Sequence, residues 1–146
     1  MIKRFDHFTI VVEDDTEAKR FFALLGFREE TTVVIKGESF AEYMGVPGIE
    51  ARHITLVAED VAPRTEIQLL KFLHPAPIPD PHIRDLNKIG LNHICFAVDD
   101  IAGVVKRMEE AGFHSRAGIL DFHSRKLVFL WGPSGVTIEL SQWDSS

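Results

Sequence analysis

The sequence predicts an α+β fold made of two βαβββ repeats that form curved open sheets. The main observation is an internal repeat: FDHFTIVVEDDTEAKRFFALLGF, beginning at residue 5, aligns without a gap with LNHICFAVDDIAGVVKRMEEAGF, beginning at residue 91. His7 then matches His93 (93 − 7 = 86), and Gly26 matches Gly112 (112 − 26 = 86). A gapless match across a strand, a turn and a helix is typical of a duplicated structural unit.

Each repeat begins with a strand and a helix. The apolar runs HFTIVV and HICFAV have the length and composition of strands. The acidic pair after each run supplies an N-cap and favourable charge for the first turn of a helix. Gly26 and Gly112 lie where a glycine ends a helix by adopting the left-handed conformation.

Three further strands are predicted in each repeat. They are TTVVIKG, ARHITLVAED and TEIQLLKFL in the first, and SRAGIL, RKLVFLWG and VTIELSQW in the second. The turn signals DVAPRT and GPSG precede the last strand of each repeat. The first repeat is expected at about 4–73 and the second at about 90–143, within a single domain of 1–146. The segment 74–89 between them carries four of the seven prolines and is expected to be an extended linker.

Composition limits the classes of partner. The chain has 146 residues and a net charge of −6, without a basic stripe, which argues against nucleic acid and anionic membranes and favours a small-molecule substrate. The single cysteine, Cys95, excludes an intrachain disulfide and suits a reducing compartment. The N-terminus MIKRFDHF lacks the apolar region of a signal peptide, and a cytoplasmic protein is expected.

Strand alternation predicts which side chains share a face. In the first strand, Phe8, Ile10 and Val12 point one way, and His7 points the other way with Thr9 and Val11. The bulkier set is expected to pack under the helix, which leaves His7 on the opposite face. The same alternation places His93 on the opposite face of the second repeat.

The last strand of each repeat adds one polar residue to that face. TEIQLL and VTIELS align so that Gln68 matches Glu139, and each is flanked by apolar residues expected on the helix side. If the two faces converge, His7, Gln68, His93 and Glu139 form a metal-centred cavity, because imidazoles, an amide oxygen and a carboxylate suit a divalent ion with open positions. Such a site, with a net charge of about +1, can stabilise an enolate. Zn, Ni, Co, Mn and Fe all accept these ligands.

The motifs DHFTIVVEDD, ALLGF, EIQLL, LNHICFAVDD, EEAGF and GPSGVTIEL resemble those of the vicinal-oxygen-chelate superfamily, the glyoxalase, bleomycin-resistance and extradiol-dioxygenase group. The resemblance spans about residues 4–143. The order His, Gln, His, Glu is most similar to methylmalonyl-CoA epimerase and glyoxalase I-like members.

The resemblance implies a role for each of these residues. It implies that His7, Gln68, His93 and Glu139 are the metal ligands, and that two glutamates act as an acid/base pair, with Glu139 as one and Glu50 as the other. It also implies a homodimer, and it leaves open whether the site forms within one chain or between two. His53 has no matching partner and is expected at the surface or in a supporting role behind the ligands, and Cys95 is expected to be a small buried hydrophobe.

The resulting functional prediction is a metal-dependent isomerase or lyase that acts on a carbonyl substrate through an enolate. Two alternatives remain open at this point. One is an Fe(II) extradiol-type dioxygenase, because His7, His93 and Glu139 alone form a two-histidine-one-carboxylate triad. The other is a metal-free small-molecule binding or resistance protein that uses the same cavity.

Overall fold

Within residues 1–144, which the computed structural model describes, the chain forms three α-helices and eight β-strands. It divides into two compact units, Met1–Pro79 and a second unit that begins at Asp80. The elements of the first unit are β1 (Phe8–Val11), α1 (Asp15–Ala23), β2 (Phe27–Lys36), α2 (Glu38–Met44), β3 (Glu50–Ala58) and β4 (Glu66–His74). Those of the second are β5 (Ile94–Ala97), α3 (Ile101–Glu110), β6 (Leu120–Phe122), β7 (Arg125–Trp131) and β8 (Thr137–Trp143).

Each unit contains one four-stranded mixed sheet. The strand orders are β1-β4-β3-β2 and β5-β8-β7-β6. In both sheets the first strand of the unit runs parallel to the last, and the other neighbours are antiparallel. The predicted α+β class and the duplication are therefore confirmed.

The predicted helix signals act as expected. The Asp14 side chain accepts a hydrogen bond from the Glu17 amide at 3.0 Å, and Asp100 accepts one from the Gly103 amide at 3.0 Å. These bonds satisfy amide groups that have no partner within the helix. Gly26, at φ 94°, then reverses the chain directly into β2, which begins earlier than the sequence pattern predicts.

In the first unit, the apolar face of the sheet packs under α1. Ile10 and Val12 are buried together with Ile67 and Leu69 of β4, whereas Thr9 and Val11 are exposed. The helix contributes Ala18, Phe21 and Phe22, all fully buried. Burial therefore follows the predicted alternation, and the polar residues of β1 and β4 lie on the opposite face.

The short helix α2 was not predicted. It follows β2, and its Ala41, together with Val46, packs on a buried cluster that includes Ile35, Ala51 and Leu70. By strand register these three residues lie on the same face as Gln68. Helix α2 and the residues after it therefore cover one end of the polar face of this sheet.

In the second unit, α3 contributes Ile101, Val104 and Met108 to the core, and β8 contributes Ile138 and Leu140. The predicted strand SRAGIL is wrong for most of its length. The strand is instead Leu120–Phe122, and Ser115 makes only an isolated bridge with Leu130. Gly118, at φ 87°, interrupts the extended conformation between them.

No helix among residues 1–144 is long and apolar enough to cross a membrane.

A partly buried ion pair joins α1 to β3. Arg52 donates two hydrogen bonds to the Asp15 carboxylate, at 3.1 and 3.0 Å, and the Asp15 side chain is 13% exposed. These hydrogen bonds from Arg52 lower the pKa of Asp15 below its ordinary value of 3.8. The two-pronged geometry is the strong form of such a pair.

We expect Asp15→Asn to lower the urea midpoint of unfolding at pH 7. Because the pKa of Asp15 is lowered in the folded chain, its stabilisation is fully present above pH 3.8 and is lost as the pH falls through the lowered value. The midpoints of wild type and variant should therefore converge at low pH. Glu42→Gln, an exposed change in α2, is the matched control; an equal pH dependence in both variants would contradict the role of this pair.

Candidate metal and active site

The polar face of the first unit is set by the parallel pairing of β1 with β4. Phe8 lies opposite Ile67 and Thr9 lies opposite Gln68. Extending this register by one residue places His7, just before β1, beside Glu66. The carboxylate of Glu66, the ring of His7 and the carboxylate of Asp6 have potential ligand atoms within 4.8 Å of one another.

The ring of His7 is oriented by the preceding residue. His7 Nδ1 lies 2.5 Å from Asp6 Oδ1, and this hydrogen bond is the main cause that lowers the pKa of Asp6. An ionised carboxylate can only accept a hydrogen bond, so we assign the ring proton to Nδ1. The lone pair of a neutral His7 ring is then on Nε2, the arrangement found in histidines that bind metal.

His93 is oriented in the same way in the second unit. Asn92 Nδ2 donates to the carbonyl oxygen of Leu86 at 2.5 Å, so Asn92 Oδ1 is the atom that lies 2.6 Å from His93 Nδ1. An amide oxygen accepts, and the ring proton is again assigned to Nδ1. The lone pair of His93 therefore also lies on Nε2.

That lone pair faces a carboxylate. His93 Nε2 lies 3.4 Å from Glu139 Oε1, and the Glu139 side chain is 14% exposed. With the neutral tautomer assigned above, both atoms are acceptors and repel each other unless a proton or a cation lies between them. An imidazole nitrogen and a carboxylate oxygen placed in this way are suitable ligands for a divalent cation.

Gln68 belongs to a hydrogen-bonded network on the face of the first sheet. Its Nε2 donates to Glu66 Oε2 at 2.7 Å, and its Oε1 lies 2.9 Å from His53 Nε2. Partial burial raises the pKa of Glu66, but hydrogen bonds from Gln68 and Arg64 outweigh it, so the pKa lies below the ordinary value. An ionised Glu66 identifies the amide nitrogen as its donor, and His53 must then donate from Nε2 to the amide oxygen.

Of the five predicted site residues, the structure places His93 and Glu139 in contact, whereas His7 and Gln68 share a face and both approach Glu66. Glu50 is the first residue of β3 and pairs with His74, away from Gln68.

Sequence analysis did not identify Glu66, and it gave His53 only a surface or supporting role without naming its partner. Glu66 is two residues before Gln68 and therefore on its face, which alternation alone could have indicated. His53 needed the register of β3 with β4.

Cys95 also differs from its expected role. It is exposed rather than buried, and it pairs in register with Glu139. Partial desolvation raises the pKa of its thiol, and the neighbouring Glu139 carboxylate raises it further. We therefore expect the reactivity of the thiol to depend on the charge of Glu139.

The sequence profile of the Glyoxalase/Bleomycin resistance protein/Dioxygenase superfamily matches residues 6–129. The chain belongs to this superfamily. The match covers most of both units, including His7, Gln68 and His93. The family membership is consistent with the duplicated sheets described above.

Relatives of known name agree with this membership. An ethylmalonyl-CoA/methylmalonyl-CoA epimerase from Cereibacter sphaeroides is 30% identical, over 97% of this chain and 99% of the relative. A glyoxalase family protein from Bacillus cereus has a similar structure, with a TM-score of 0.89 and 26% identity over 99% of this chain and 97% of that one. The fosfomycin resistance protein FosX from Listeria monocytogenes, in complex with Mn(II) and sulfate, shares the fold, with a TM-score of 0.62 and 13% identity over 100% and 95% of the two chains.

We expect Glu139→Gln to accelerate alkylation of Cys95 by iodoacetamide at a fixed pH near 8. Removing the neighbouring negative charge lowers the pKa of the thiol, and the thiolate is the reactive form. Mass spectrometry of the intact chain, treated with a chelator beforehand, measures the rate. Glu66→Gln, in the other unit, is the matched control; equal rates for wild type and Glu139→Gln would show that Glu139 and Cys95 do not interact.

Proposed function

We propose that this chain is a divalent-metal-dependent isomerase or lyase that acts on a carbonyl substrate by stabilising an enolate. The ligands of one ion are two pairs of residues, His7 with Gln68 and His93 with Glu139. They meet either within one chain or across a homodimer. The protein is proposed to act in the cytoplasm. The relative that acts, by its name, on ethylmalonyl-CoA and methylmalonyl-CoA supports an epimerase-like reaction on a carbonyl compound with an acidic α-hydrogen.

The observation that carries the proposal is the shared orientation of His7 and His93. Nδ1 of each ring lies 2.5 or 2.6 Å from the side-chain oxygen of the residue before it, Asp6 or Asn92, and in the tautomers assigned above Nε2 keeps its lone pair. Metal-binding histidines are commonly held by such a bond from the other ring nitrogen. The same hydrogen bond at two matching positions is difficult to explain if the histidines serve only to fill space.

The other ligands fit the same ion. Glu139 presents a carboxylate oxygen to His93 Nε2, and the cation would replace the repulsion between these two acceptors with attraction. Gln68 Oε1 accepts a hydrogen bond from His53 and a longer one, at 3.4 Å, from the Thr9 hydroxyl, and coordination would replace the longer of the two. A divalent ion bound by these residues would supply the positive charge that stabilises an enolate oxygen.

The protein side chains would move the protons. Glu139 takes the proton from the carbon next to the substrate carbonyl, and the electron pair of that C–H bond moves into the enolate. In an epimerisation, a second group returns a proton to the same carbon from the opposite side. Removing such an acid/base group typically slows the reaction by about 10²- to 10⁴-fold.

We assign this second role to His53 rather than to Glu50. His53 lies on the face that carries Gln68, and because its Nε2 donates to the amide, its Nδ1 has the lone pair that can hold or release a proton. Glu50 begins β3 and lies next to His74 in register, several positions from Gln68. The position of His53 favours it as the group that faces substrate.

A ring-cleaving Fe(II) dioxygenase is the second candidate. Both ends of the Gln68 amide are already hydrogen-bonded, to Glu66 and to His53. If Gln68 does not coordinate the ion, then His7, His93 and Glu139 remain as a two-histidine-one-carboxylate triad. Oxygen uptake with catechol after anaerobic loading with iron would support this candidate over the isomerase.

We expect about one divalent ion per chain in wild type, measured by plasma mass spectrometry on untagged protein, because the proposed site has four ligands. His93→Ala and Glu139→Gln should each lower the occupancy and abolish α-proton exchange. His82→Ala, an exposed histidine outside the site, is the matched control. If wild type stays metal-free after reconstitution with Zn, Ni, Co, Mn and Fe in turn, the proposed function is wrong.

We expect His53→Asn to slow incorporation of solvent deuterium into the substrate by about 10²-fold or more, because one proton carrier is lost. Glu50→Gln should leave the rate within about threefold, as expected for a group outside the reaction. NMR with an α-substituted thioester measures the exchange in metal-loaded protein. The reverse result, with Glu50→Gln inactive and His53→Asn active, would restore Glu50 as the second acid/base.

A further inference from the structure

An apolar cavity of about 420 Å³ lies on the face of the second sheet that carries Glu139. Phe129 is the register partner of Glu139 on β7, and Leu127 is the partner of Leu120 on β6. These side chains and Phe122 line the cavity together with Glu139. The side chain of Glu139, the proposed base, therefore borders an apolar space.

The direction of the cavity relative to the proposed metal ligands is defined within this unit. His93 contacts Glu139 on one side, and its ring meets the Phe129 ring edge-on at a centroid distance of 5.0 Å. In the order of strands in this sheet, β7, which carries Phe129, and then β6 lie farther and farther from β5. A substrate whose reacting carbon lies at Glu139 therefore extends one substituent past Phe129 toward β6.

The cationic residue of the cavity lining is engaged elsewhere. Arg116 donates from its Nη1 to the carbonyl oxygen of Arg84 at 2.9 Å, and its guanidinium stacks over the Trp131 ring at 4.5 Å. The segment 117–119 that completes this wall is Ala-Gly-Ile. The Arg125 guanidinium, beside the Phe122 end of the cavity, lies over the Trp143 ring at 4.7 Å and the Phe122 ring at 6.0 Å from their centroids. An anionic substituent would face the Glu139 carboxylate, and this repulsion is unfavourable.

The wall of the cavity also exposes apolar side chains. Leu120 is 59% exposed and Phe122 is 45% exposed. Covering such surface with an apolar group releases water and is favourable in proportion to the area removed. A cavity of roughly 150 Å³ is enough to bind benzene, so this one has more room than a methyl group needs.

We infer that this cavity binds an aryl or branched alkyl substituent of the carbonyl substrate. The inference rests on the proposed function for the position of the reacting carbon at Glu139. It deepens that function by naming the substrate class: an α-acidic carbonyl compound whose side chain is a bulky apolar group. Binding itself depends on the second unit and requires no metal.

The test is a titration of metal-free, chelator-treated protein with phenylacetone, compared with acetone, followed by ¹H–¹⁵N NMR. Phenylacetone should shift resonances within 116–129 and should bind about tenfold or more tightly than acetone, because the phenyl ring is buried. Leu120→Lys should weaken phenylacetone binding by about tenfold, since it places a charge on the wall. Ile78→Lys, at a 94% exposed position outside the cavity, should leave binding unchanged.

Other results would overturn the inference. One is equal binding of the two ketones, and another is a set of shifts centred outside 116–129. A third is undiminished binding by both Leu120→Lys and Ala117→Trp, since the tryptophan of the second variant fills the cavity from its rim. A dimer that dissociates on Leu120→Lys and does not bind phenylacetone would identify a second copy as the occupant. Binding of phenylacetone by a chain that takes up no metal would retain the cavity and reject the proposed function alone.

Discussion

In each unit the first strand lies parallel beside the last, and the chemistry of the candidate site depends on this pairing. Parallel neighbours cannot be joined by a tight hairpin, so two further strands connect them, with two helices in the first unit and one α-helix in the second. The pairing brings residues distant in sequence to adjacent positions: Thr9 beside Gln68, and Cys95 beside Glu139. A shift of register by one residue would move each polar side chain to the apolar face.

The duplicated pairing produces unequal halves. In the second unit a histidine meets a carboxylate directly, through His93 and Glu139. In the first unit the matching amide of Gln68 is bonded to Glu66 and His53. The position that matches Glu66 is Thr137 (137 − 66 = 71), a 2% exposed residue whose hydroxyl has no hydrogen-bond partner in the described chain. The repeat thus gives one unit a carboxylate beside its histidine and the other a hydrogen-bonded polar network.

The two faces of each sheet have different physical roles. On the helix side, fully buried residues such as Phe21, Leu69, Ile138 and Met108 hold the strands in register through the hydrophobic effect. The polar groups on the other face are therefore oriented by a framework that does not depend on them. The ion pair of Asp15 with Arg52 adds a link between helix and sheet, and α2 covers one end of the polar face in the first unit.

The sequence by itself determined the duplication, the helix ends and the division of residues between faces, because these follow from local patterns: capping at Asp14, glycine at the helix end, and alternation along each strand. It did not predict α2 or the bounds of β6, since tertiary packing and the backbone at Gly118 decide them. Only the tertiary structure showed that His53 and Glu66 hold Gln68, and that Asp6 and Asn92 orient the histidines. These contacts depend on distances between side chains, which strand register and rotamers set and which a linear pattern does not contain.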